Sequence, residues 1–263
     1  MIPWRYAEKR FVIQGHFDPY LGCAHGCRYC AAKYTLGLSD EGWRAHRLHD
    51  YGSPRLGANK VVWNPRGEVL ERPIGKNVCV GQYSDPYQPA EKELMRTRKL
   101  LEELRGLDLN VLVRTKSDLV KRDVELFTKR FKLAVSVTHE PGYAQAGYWE
   151  PFAPSADKRV ETVKFFAEAG IPVEVYLQPL LPGSNPVKVV ELLRDYADIF
   201  VVNLMYEREW VGIQLLQRPV TAYEEWSVKA ALELMKYLHE KDVPFVFERD
   251  LVEALERRVG LKW

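Results

Sequence analysis

Three of the four cysteines in this chain, Cys23, Cys27 and Cys30, lie within eight residues of one another. Cysteine thiolates bind metal ions and iron–sulfur clusters, and one loop with this tight spacing could wrap a single cluster. Three thiolates would hold three irons of a 4Fe–4S cube and leave the fourth iron free for a substrate or cofactor. The alternative is a zinc site in which His25 or a remote residue is the fourth ligand. No second pair of ligands is visible in the sequence, and this favours the iron–sulfur cluster.

The distribution of the cysteines argues against disulfide bonds. A secreted disulfide framework spreads its cysteines through a short chain, whereas here they cluster in a chain of 263 residues. Gly22 immediately precedes the cluster and Gly26 lies within it, and both permit backbone turns that side chains would obstruct. The fourth cysteine, Cys79, lies in a predicted strand, where a free thiol is commonly a buried apolar group.

The elements that must position this loop are predicted by apolar runs that alternate with amphipathic segments. Buried strands that alternate with helices indicate right-handed βαβ units on a parallel sheet. The pattern is compatible with an open or partial (β/α) barrel and with a doubly wound sheet. The predicted strands are residues 77–83, 109–114, 132–138, 173–178, 199–205 and 243–247, and the predicted helices are residues 90–106, 120–129, 155–169, 187–196 and 222–241.

Polar residues follow several of the predicted strands, at the end where parallel α/β proteins place their chemistry. The joint placement of these residues at successive strand ends predicts a binding site along that edge. Taken singly, Asp85 before Pro86 is also typical of a turn, and Lys116 is compatible with a solvated loop. The polar groups are Ser84-Asp85, Thr115-Lys116-Ser117, Thr138-His139-Glu140 and Gln178.

Composition limits the class of protein. The chain is 46% hydrophobic and 28% charged with a formal net charge of +2, which is typical of a globular protein and gives no bulk-charge argument for nucleic acid or an anionic membrane. No run approaches the roughly 18 apolar residues of a membrane span. We expect a soluble, cytoplasmic protein with one domain over residues 1–263. We divide it into a cysteine loop (19–34), an irregular insertion (39–75), core βα units (77–241) and a C-terminal strand and helix (243–263).

The spacing C-x-x-x-C-x-x-C, in a loop ahead of repeated βα units, resembles the radical S-adenosylmethionine (SAM) superfamily. The resemblance implies a partial (β/α)6 TIM-type barrel whose three clustered cysteines bind a 4Fe–4S cluster. SAM would bind the fourth iron, and its reductive cleavage would yield a 5′-deoxyadenosyl radical that abstracts a hydrogen atom. By the same resemblance, the cofactor-binding residues are Tyr29 beside the adenine, Ser84 and Asp85 at the methionine end, Lys116 and Ser136 or Thr138 at the carboxylate and ribose, and Gln178.

Further motifs are similar to those of the spore photoproduct lyase-like group, over about residues 12–205. That lyase uses a cysteine immediately before a Ser-Asp-type pair to return a hydrogen atom to the repaired thymine. Here Tyr83 occupies that position and Cys79 lies four residues earlier, so these two are the candidate hydrogen-atom donors and the departure counts against thymine-dimer repair. The motifs are Pro19-Tyr20-x-Gly22-Cys23-x-His25-Gly26-Cys27-x-Tyr29-Cys30, Ser84-Asp85-Pro86-Tyr87-Gln88-Pro89-x-Glu91, Glu150-Pro151-x-Ala153-Pro154-Ser155 and Pro179-Leu180-Leu181-Pro182-Gly183.

The resemblance implies an oxygen-sensitive radical SAM enzyme that receives electrons from a small flavodoxin- or ferredoxin-type donor. The first candidate substrate is a nucleic-acid base or nucleoside, and the runner-up is a peptide or small metabolite. A hypothesis of a different class is a metal-binding sensor or structural protein without turnover. Metal and sulfide analysis distinguishes these hypotheses, because a zinc protein contains no sulfide.

Overall fold

The structure, a computed structural model, describes residues 10–20, 22–32, 55–57, 60–63, 70–73, 76–205 and 220–260. No helix in these segments is both long and apolar enough to cross a membrane. The strands are β1 (Gly15–Phe17), β2 (Arg55–Gly57), β3 (Lys60–Trp63), β4 (Leu70–Pro73), β5 (Asn77–Val80), β6 (Asn110–Thr115), β7 (Phe131–Ser136), β8 (Val173–Leu177), β9 (Ile199–Val202) and β10 (Phe245–Phe247). The helices are α1 (Glu91–Leu94), α2 (Arg96–Leu104), a 3-10 helix (Asp118–Leu126), α3 (Ala146–Trp149), α4 (Ala156–Glu168), α5 (Pro186–Leu193), α6 (Val220–Glu240) and α7 (Arg249–Val259).

Seven strands form one parallel sheet in the order β1-β5-β6-β7-β8-β9-β10. Each strand lies beside the strand that precedes it in this sheet, whereas a doubly wound sheet reverses its order at a switch point. Within the described segments β1 and β10 are the two edges and do not pair with each other. The predicted α/β partial barrel is therefore confirmed, with all six predicted strands present and β1 added at one edge.

The structure differs from the predicted elements where strands are short or the backbone turns sharply. The strand predicted over residues 77–83 ends at Val80, because Gly81 has a φ of +90° that an extended strand cannot continue through. The single helix predicted over residues 90–106 is divided at Met95, which has a φ of 55°. The carboxylate of Glu91 accepts hydrogen bonds from the backbone N–H groups of Thr97 (2.8 Å) and Arg98 (3.1 Å), and so caps the second helix.

The insertion predicted to be irregular contains regular structure in its described part. Strands β2, β3 and β4 form a separate antiparallel sheet in that order. Each has only three or four residues, too few for an alternating pattern to be recognised among the surrounding Gly and Pro residues. The rest of the 39–75 segment lies outside the described residues, as do Leu21, Lys33 and Tyr34 of the predicted cysteine loop.

The sheet is buried on both faces, which explains why its strands are nearly continuous apolar runs. Val111 and Val113 of β6 belong to the large core that also contains α4 residues such as Phe166. Leu112, between them, belongs instead to a small cluster on the inner face of the barrel, with Tyr176 of β8. The side chains that point inward from the strand ends therefore face a confined interior, and that interior is where the candidate site lies.

Candidate active site

The cysteine loop follows β1 and lies at the carboxyl ends of the parallel strands. Cys23, Cys27 and Cys30 line one cavity of about 530 Å³, and all three are free thiols. The loop turns at Gly22 and Gly26, which have φ values of 81° and 63°. These values lie in the left-handed region, so the sequence expectation that glycine permits the turns is confirmed.

Residues 84–91, which follow β5, hold one side of the cysteine loop. The Gln88 side chain accepts a hydrogen bond from the Ala24 N–H (2.9 Å) and donates one to the Gly22 carbonyl (3.0 Å), so it secures the backbone on both sides of Cys23. The Ser84 hydroxyl donates to the carbonyl of Tyr20 (2.5 Å). The Tyr20 hydroxyl in turn donates to the buried carboxylate of Glu91 (2.5 Å). The position of the loop therefore depends on this segment.

Residues 149–152 hold the other side of the loop. The Arg28 N–H donates to the Trp149 carbonyl (2.9 Å), and the Phe152 N–H donates to the His25 carbonyl (3.2 Å). The Tyr29 hydroxyl donates to the Glu150 carboxylate, and both side chains are buried. The loop is thus fixed between two segments that lie far apart in the sequence.

Glu150 is the centre of a buried polar network. Its carboxylate accepts a hydrogen bond from the Thr138 hydroxyl (2.9 Å), forms a hydrogen-bonded ion pair with Arg159 and lies 3.3 Å from His139 Nε2. Burial would raise the pKa of Glu150, but Arg159, His139 and Lys116 outweigh burial and hold the pKa well below its ordinary value. Glu150 is therefore an anion, and its negative charge is matched by the surrounding cations.

His25 and Asp85 form a second buried pair at the cavity. His25 Nδ1 lies 3.4 Å from Asp85 Oδ2, and Asp85 also accepts hydrogen bonds from the Thr115 hydroxyl (2.6 Å) and the N–H groups of Lys116 (2.7 Å) and Tyr87 (2.9 Å). Burial would raise the pKa of Asp85, but His25 and these hydrogen bonds lower it to about 2. Asp85 is thus an ionised group that joins the loop to the end of β6.

Lys116 extends from the end of β6 toward the cysteine loop. Its Nζ lies 5.6 Å from the centre of the Tyr29 ring and 4.0 Å from Glu150 Oε1. Lys116 also lowers the pKa of the Cys27 thiol, although burial raises that pKa by more. The cavity wall therefore carries a cation beside the cysteines.

Most of the residues selected from the sequence meet at this cavity. Thr138 and Cys79 are not among its described lining residues: the Thr138 hydroxyl is bonded to Glu150, and Cys79 is completely buried in β5, where burial raises its pKa to about 12. Tyr83, by contrast, is 39% exposed at the cavity, edge-on to the His16 ring at 5.1 Å. The selected residues that line the cavity are Cys23, Cys27, Cys30, Tyr29, Tyr83, Ser84, Asp85, Lys116, Ser136 and Gln178.

The donor set fits an iron–sulfur cluster. Three thiols of one loop surround one cavity, and thiolate is the ligand that such clusters require. No three Cys, His, Asp or Glu side chains in the described segments are close enough together to hold a single metal ion. A 4Fe–4S cube bonds its thiolates through different irons and does not require such a compact group. Cys23, Cys27 and Cys30 would hold the cluster.

Several groups at the site had no role in the sequence analysis. Gln88, Glu91 and Glu150 were named only as parts of motifs, and their partners in the cysteine loop are 60 or more positions away, a separation that local spacing does not predict. Arg114 and Glu248 also line the cavity. Arg114 carries a sequence signal, because it is a charged residue at the end of an otherwise apolar strand.

Comparison with known proteins identifies the family to which this site belongs. A family model described as the radical SAM superfamily matches residues 18–196, from the residue after β1 through the cysteine loop to the residues that follow α5. The chain belongs to the radical SAM superfamily. The resemblance drawn from the cysteine spacing is thereby confirmed, and SAM and an iron–sulfur cluster are the cofactors that this family implies.

Similar sequences occur in an archaeal species and in a virus. The chain is 28% identical over 254 residues to the uncharacterized protein MJ0683 of Methanocaldococcus jannaschii, and the match covers 92% of this chain and 90% of that protein. It is 28% identical over 197 residues to the uncharacterized protein ORF301 of Acidianus two-tailed virus, covering 69% of this chain and 62% of that protein. The similarity to the first of these proteins extends over almost the whole of both chains.

Solved structures of two radical SAM proteins have the same fold. SuiB of Streptococcus suis, bound to its precursor peptide SuiA, superposes with a TM-score of 0.56 at 12% identity, covering 96% of this chain and 53% of SuiB. Spore photoproduct lyase in complex with dinucleoside spore photoproduct superposes with a TM-score of 0.55 at 13% identity, covering 87% of this chain and 74% of the lyase. This chain therefore spans about half of SuiB. At these low sequence identities, the superpositions show a shared fold only.

Proposed function

We propose that this chain binds a 4Fe–4S cluster through Cys23, Cys27 and Cys30 and cleaves SAM reductively. The observation that carries the proposal is that the three free thiols share one cavity with Lys116, Ser136 and other polar residues of the strand ends. When bound, a reduced cluster supplies the electron that cleaves a carbon–sulfur bond of SAM and so yields methionine and a 5′-deoxyadenosyl radical.

Different polar residues of the cavity would bind different parts of SAM. The ammonium group of Lys116 suits the SAM carboxylate, and the hydroxyl of Ser136 suits the ribose. Asp85 would act mainly by positioning, because its oxygens already accept hydrogen bonds from Thr115 and from the backbone of Lys116. Tyr29 would pack against the adenine while its hydroxyl stays bonded to Glu150.

For the substrate we propose a nucleic-acid base or nucleoside. The supporting observations are the exposed Tyr83 ring at the cavity, since aromatic rings stack on bases, and the shared fold with a lyase whose structure holds a dinucleoside. Of the two candidate hydrogen-atom donors, Tyr83 lines the cavity whereas Cys79 is buried in β5. The alternative is a peptide or small metabolite, and it is supported by the shared fold with peptide-bound SuiB.

Two cysteine variants provide the test. We expect anaerobically reconstituted wild-type protein to contain about four irons and four sulfides per chain and to release 5′-deoxyadenosine from SAM after chemical reduction. Cys27→Ala should lose both properties, and Cys79→Ala, which removes a cysteine from outside the cavity, should keep both. Zinc without sulfide would contradict the proposal, and so would a full cluster that releases no 5′-deoxyadenosine with any reductant or substrate class tested.

The reductant and the substrate class can be tested with the same preparation. A flavodoxin or ferredoxin should replace the chemical reductant in supporting 5′-deoxyadenosine release. If the substrate is nucleic acid, oligonucleotide binding should weaken steeply as salt increases, because phosphate contacts release counterions. Binding that is insensitive to salt, or stimulation of 5′-deoxyadenosine release by peptides alone, would favour the alternative.

A further inference from the structure

The interior of the barrel contains charged side chains beneath the cysteine loop. Glu174 of β8 is fully buried and accepts hydrogen bonds from the Phe11 N–H (2.9 Å) and the Tyr176 hydroxyl (3.2 Å), and it lies 3.9 Å from Lys132 Nζ. Both carboxylate oxygens of Glu174 thus have hydrogen-bond partners inside the protein. Arg114, by contrast, has a buried Nε without a hydrogen-bond partner among the described residues.

Arg114 is an inward-facing cation whose side chain interacts with that of Tyr176 but whose Nε donor is not used. Its guanidinium lies 4.7 Å from the centre of the Tyr176 ring and lines the cavity. Its Nε is buried and has no hydrogen-bond partner among the described residues. No described carboxylate forms an ion pair with it, although Glu248 is near enough to favour its charged form. A buried donor without a partner is costly, and a ligand in the cavity would satisfy it.

Two more unsatisfied groups line the same cavity. Arg10 Nε and Gln82 Oε1 are both buried without hydrogen-bond partners among the described residues. Arg10 also forms an ion pair with Glu248, so the Glu248 carboxylate is shared between the two arginines. With His25 Nδ1, which lies beside Asp85, four buried polar atoms of the cavity-lining residues have no hydrogen-bond partner among the described residues, whereas most buried polar groups in proteins are hydrogen-bonded.

This end of the cavity is distinct from the part that faces the cysteines. Arg114 lies in β6 and Lys116 follows the end of that strand two residues later, so Arg114 lies about 7 Å farther into the barrel. Lys116 is the cation beside Tyr29 and the cysteine loop. Arg114 is instead close to the ring of Tyr176 in β8. Because Lys116 and Arg114 lie at different depths of the cavity, each can bind a different ligand group.

We propose that Arg114, assisted by Arg10, forms a subsite for an oxyanion of the substrate, either a carboxylate or a phosphate. The planar guanidinium donates two parallel hydrogen bonds to such a group. The unsatisfied Gln82 oxygen would accept a hydrogen bond from a donor on the same substrate. This inference rests on the proposed function, because it assigns the deeper end of the cavity to the substrate of that reaction.

Anion titration of the reconstituted holoprotein tests the subsite. The probes are inorganic phosphate and acetate, each titrated by calorimetry against chloride at equal ionic strength, and the stronger of the two identifies the oxyanion. We expect Arg114→Gln to weaken binding of the preferred anion about tenfold or more, and Arg114→Lys to weaken it less because the charge remains. The matched control is Arg130→Gln, which removes an exposed arginine paired with Asp108 and should leave binding within about twofold.

Parallel SAM measurements separate this inference from the proposed function. The Arg114 variants should bind SAM within about twofold of wild type, since Lys116 serves the SAM carboxylate. Competition between the anion and SAM, or a loss of SAM affinity in Arg114→Lys, would assign Arg114 to SAM and overturn the inference. Equal anion binding by wild type and Arg114→Gln would also overturn it. If Arg114→Gln does not fold, Arg114→Lys and Arg10→Gln decide by the same criteria. A wild type that binds anion but releases no 5′-deoxyadenosine would refute the proposed function alone.

Discussion

The hydroxyl of Tyr29 in the cysteine loop donates a hydrogen bond to the buried carboxylate of Glu150, which lies 121 positions later in the chain. Glu150 in turn pairs with Arg159, so the loop, the end of β7 and helix α4 share one network. A charged hydrogen-bond acceptor inside a protein is strong when every partner is present and costly when one is lost. The network therefore links the position of the cysteine loop to the stability of the barrel.

Glu150→Gln should destabilise the protein strongly. The substitution leaves the buried Arg159 without its anion, and breaking a buried ion pair typically costs about 3–5 kcal/mol. Urea unfolding of the reduced apoprotein measures the change in free energy of unfolding. Glu161→Gln is the control, because Glu161 is exposed and the variant loses only one ion pair, at 3.9 Å from Lys121 Nζ. Its effect on the free energy of unfolding should stay below about 1 kcal/mol. Equal effects of the two variants would contradict the role given to Glu150.

Gln88→Ala should release the cluster faster without unfolding the protein. The variant removes both side-chain hydrogen bonds to the loop backbone around Cys23, while the three thiols remain. We expect iron to be lost to a chelator about tenfold faster, the lower end of the effect of groups that orient metal ligands. Gln14→Ala is the control, since Gln14 bonds the Asn77 N–H (3.1 Å) at an exposed position away from the loop. An unchanged rate of iron loss in Gln88→Ala would show that its two hydrogen bonds do not hold the loop in place.

The sequence predicted the parts of the structure that leave a local signal. Buried parallel strands give continuous apolar runs, so β6, β7 and β8 were predicted nearly to their ends. The spacing of the cysteines predicted the family and the loop that brings three thiols to one cavity, because one short segment supplies all three. Lys116 and Ser136 were found because the ends of successive parallel strands meet at one edge.

The parts that were missed are set by contacts between distant residues. The break at Met95 arises because Glu91 caps the second helix, whereas the local sequence favours one continuous helix. The partnership of Glu150 with Tyr29 depends on how the chain folds back, and no spacing encodes it. For Arg114, the sequence shows a charge at a strand end, but only the register of β6 decides that the side chain faces the interior.

Gly81→Ala should destabilise the protein because the backbone there has no room for a side chain. Gly81 has a φ of +90°, and an added Cβ would lie 2.4 Å from Pro86 Cδ and 2.7 Å from the Arg114 carbonyl oxygen. Backbone strain and overpacking together should cost about 3 kcal/mol, measured by urea unfolding. Gly147→Ala is the matched control, since nothing lies within 4 Å of its added Cβ and the position is helical, so stability should change by less than about 1 kcal/mol. A similar loss of stability in both variants would show that the lack of space at Gly81 is not the cause.

Asp123 should make the stability of the protein depend on pH in the acidic range. Its carboxylate accepts hydrogen bonds from Arg98 (2.6 Å), Arg122 (2.8 Å) and the Tyr87 hydroxyl (3.1 Å). Burial would raise the pKa of Asp123, but these partners outweigh it and lower the pKa. Because the folded pKa lies below the unfolded value of about 3.9, the stabilisation is present above that pH and is lost as the pH falls toward the folded pKa.

Asp123→Asn tests this dependence directly. At pH 7 the variant should be less stable than wild type by about 2 kcal/mol, a figure reduced because both arginines are partly exposed. As the pH falls through about 3.9 and toward the lowered folded pKa, the difference should shrink, because the Asp123 carboxyl is protonated first in the unfolded chain and then in the folded protein, where it comes to resemble the amide. Asp195→Asn, which changes an aspartate that is 80% exposed, should show a small difference at every pH. A gap between Asp123→Asn and wild type that stays constant through the acidic range would mean that Asp123 is not held as an anion by its arginines.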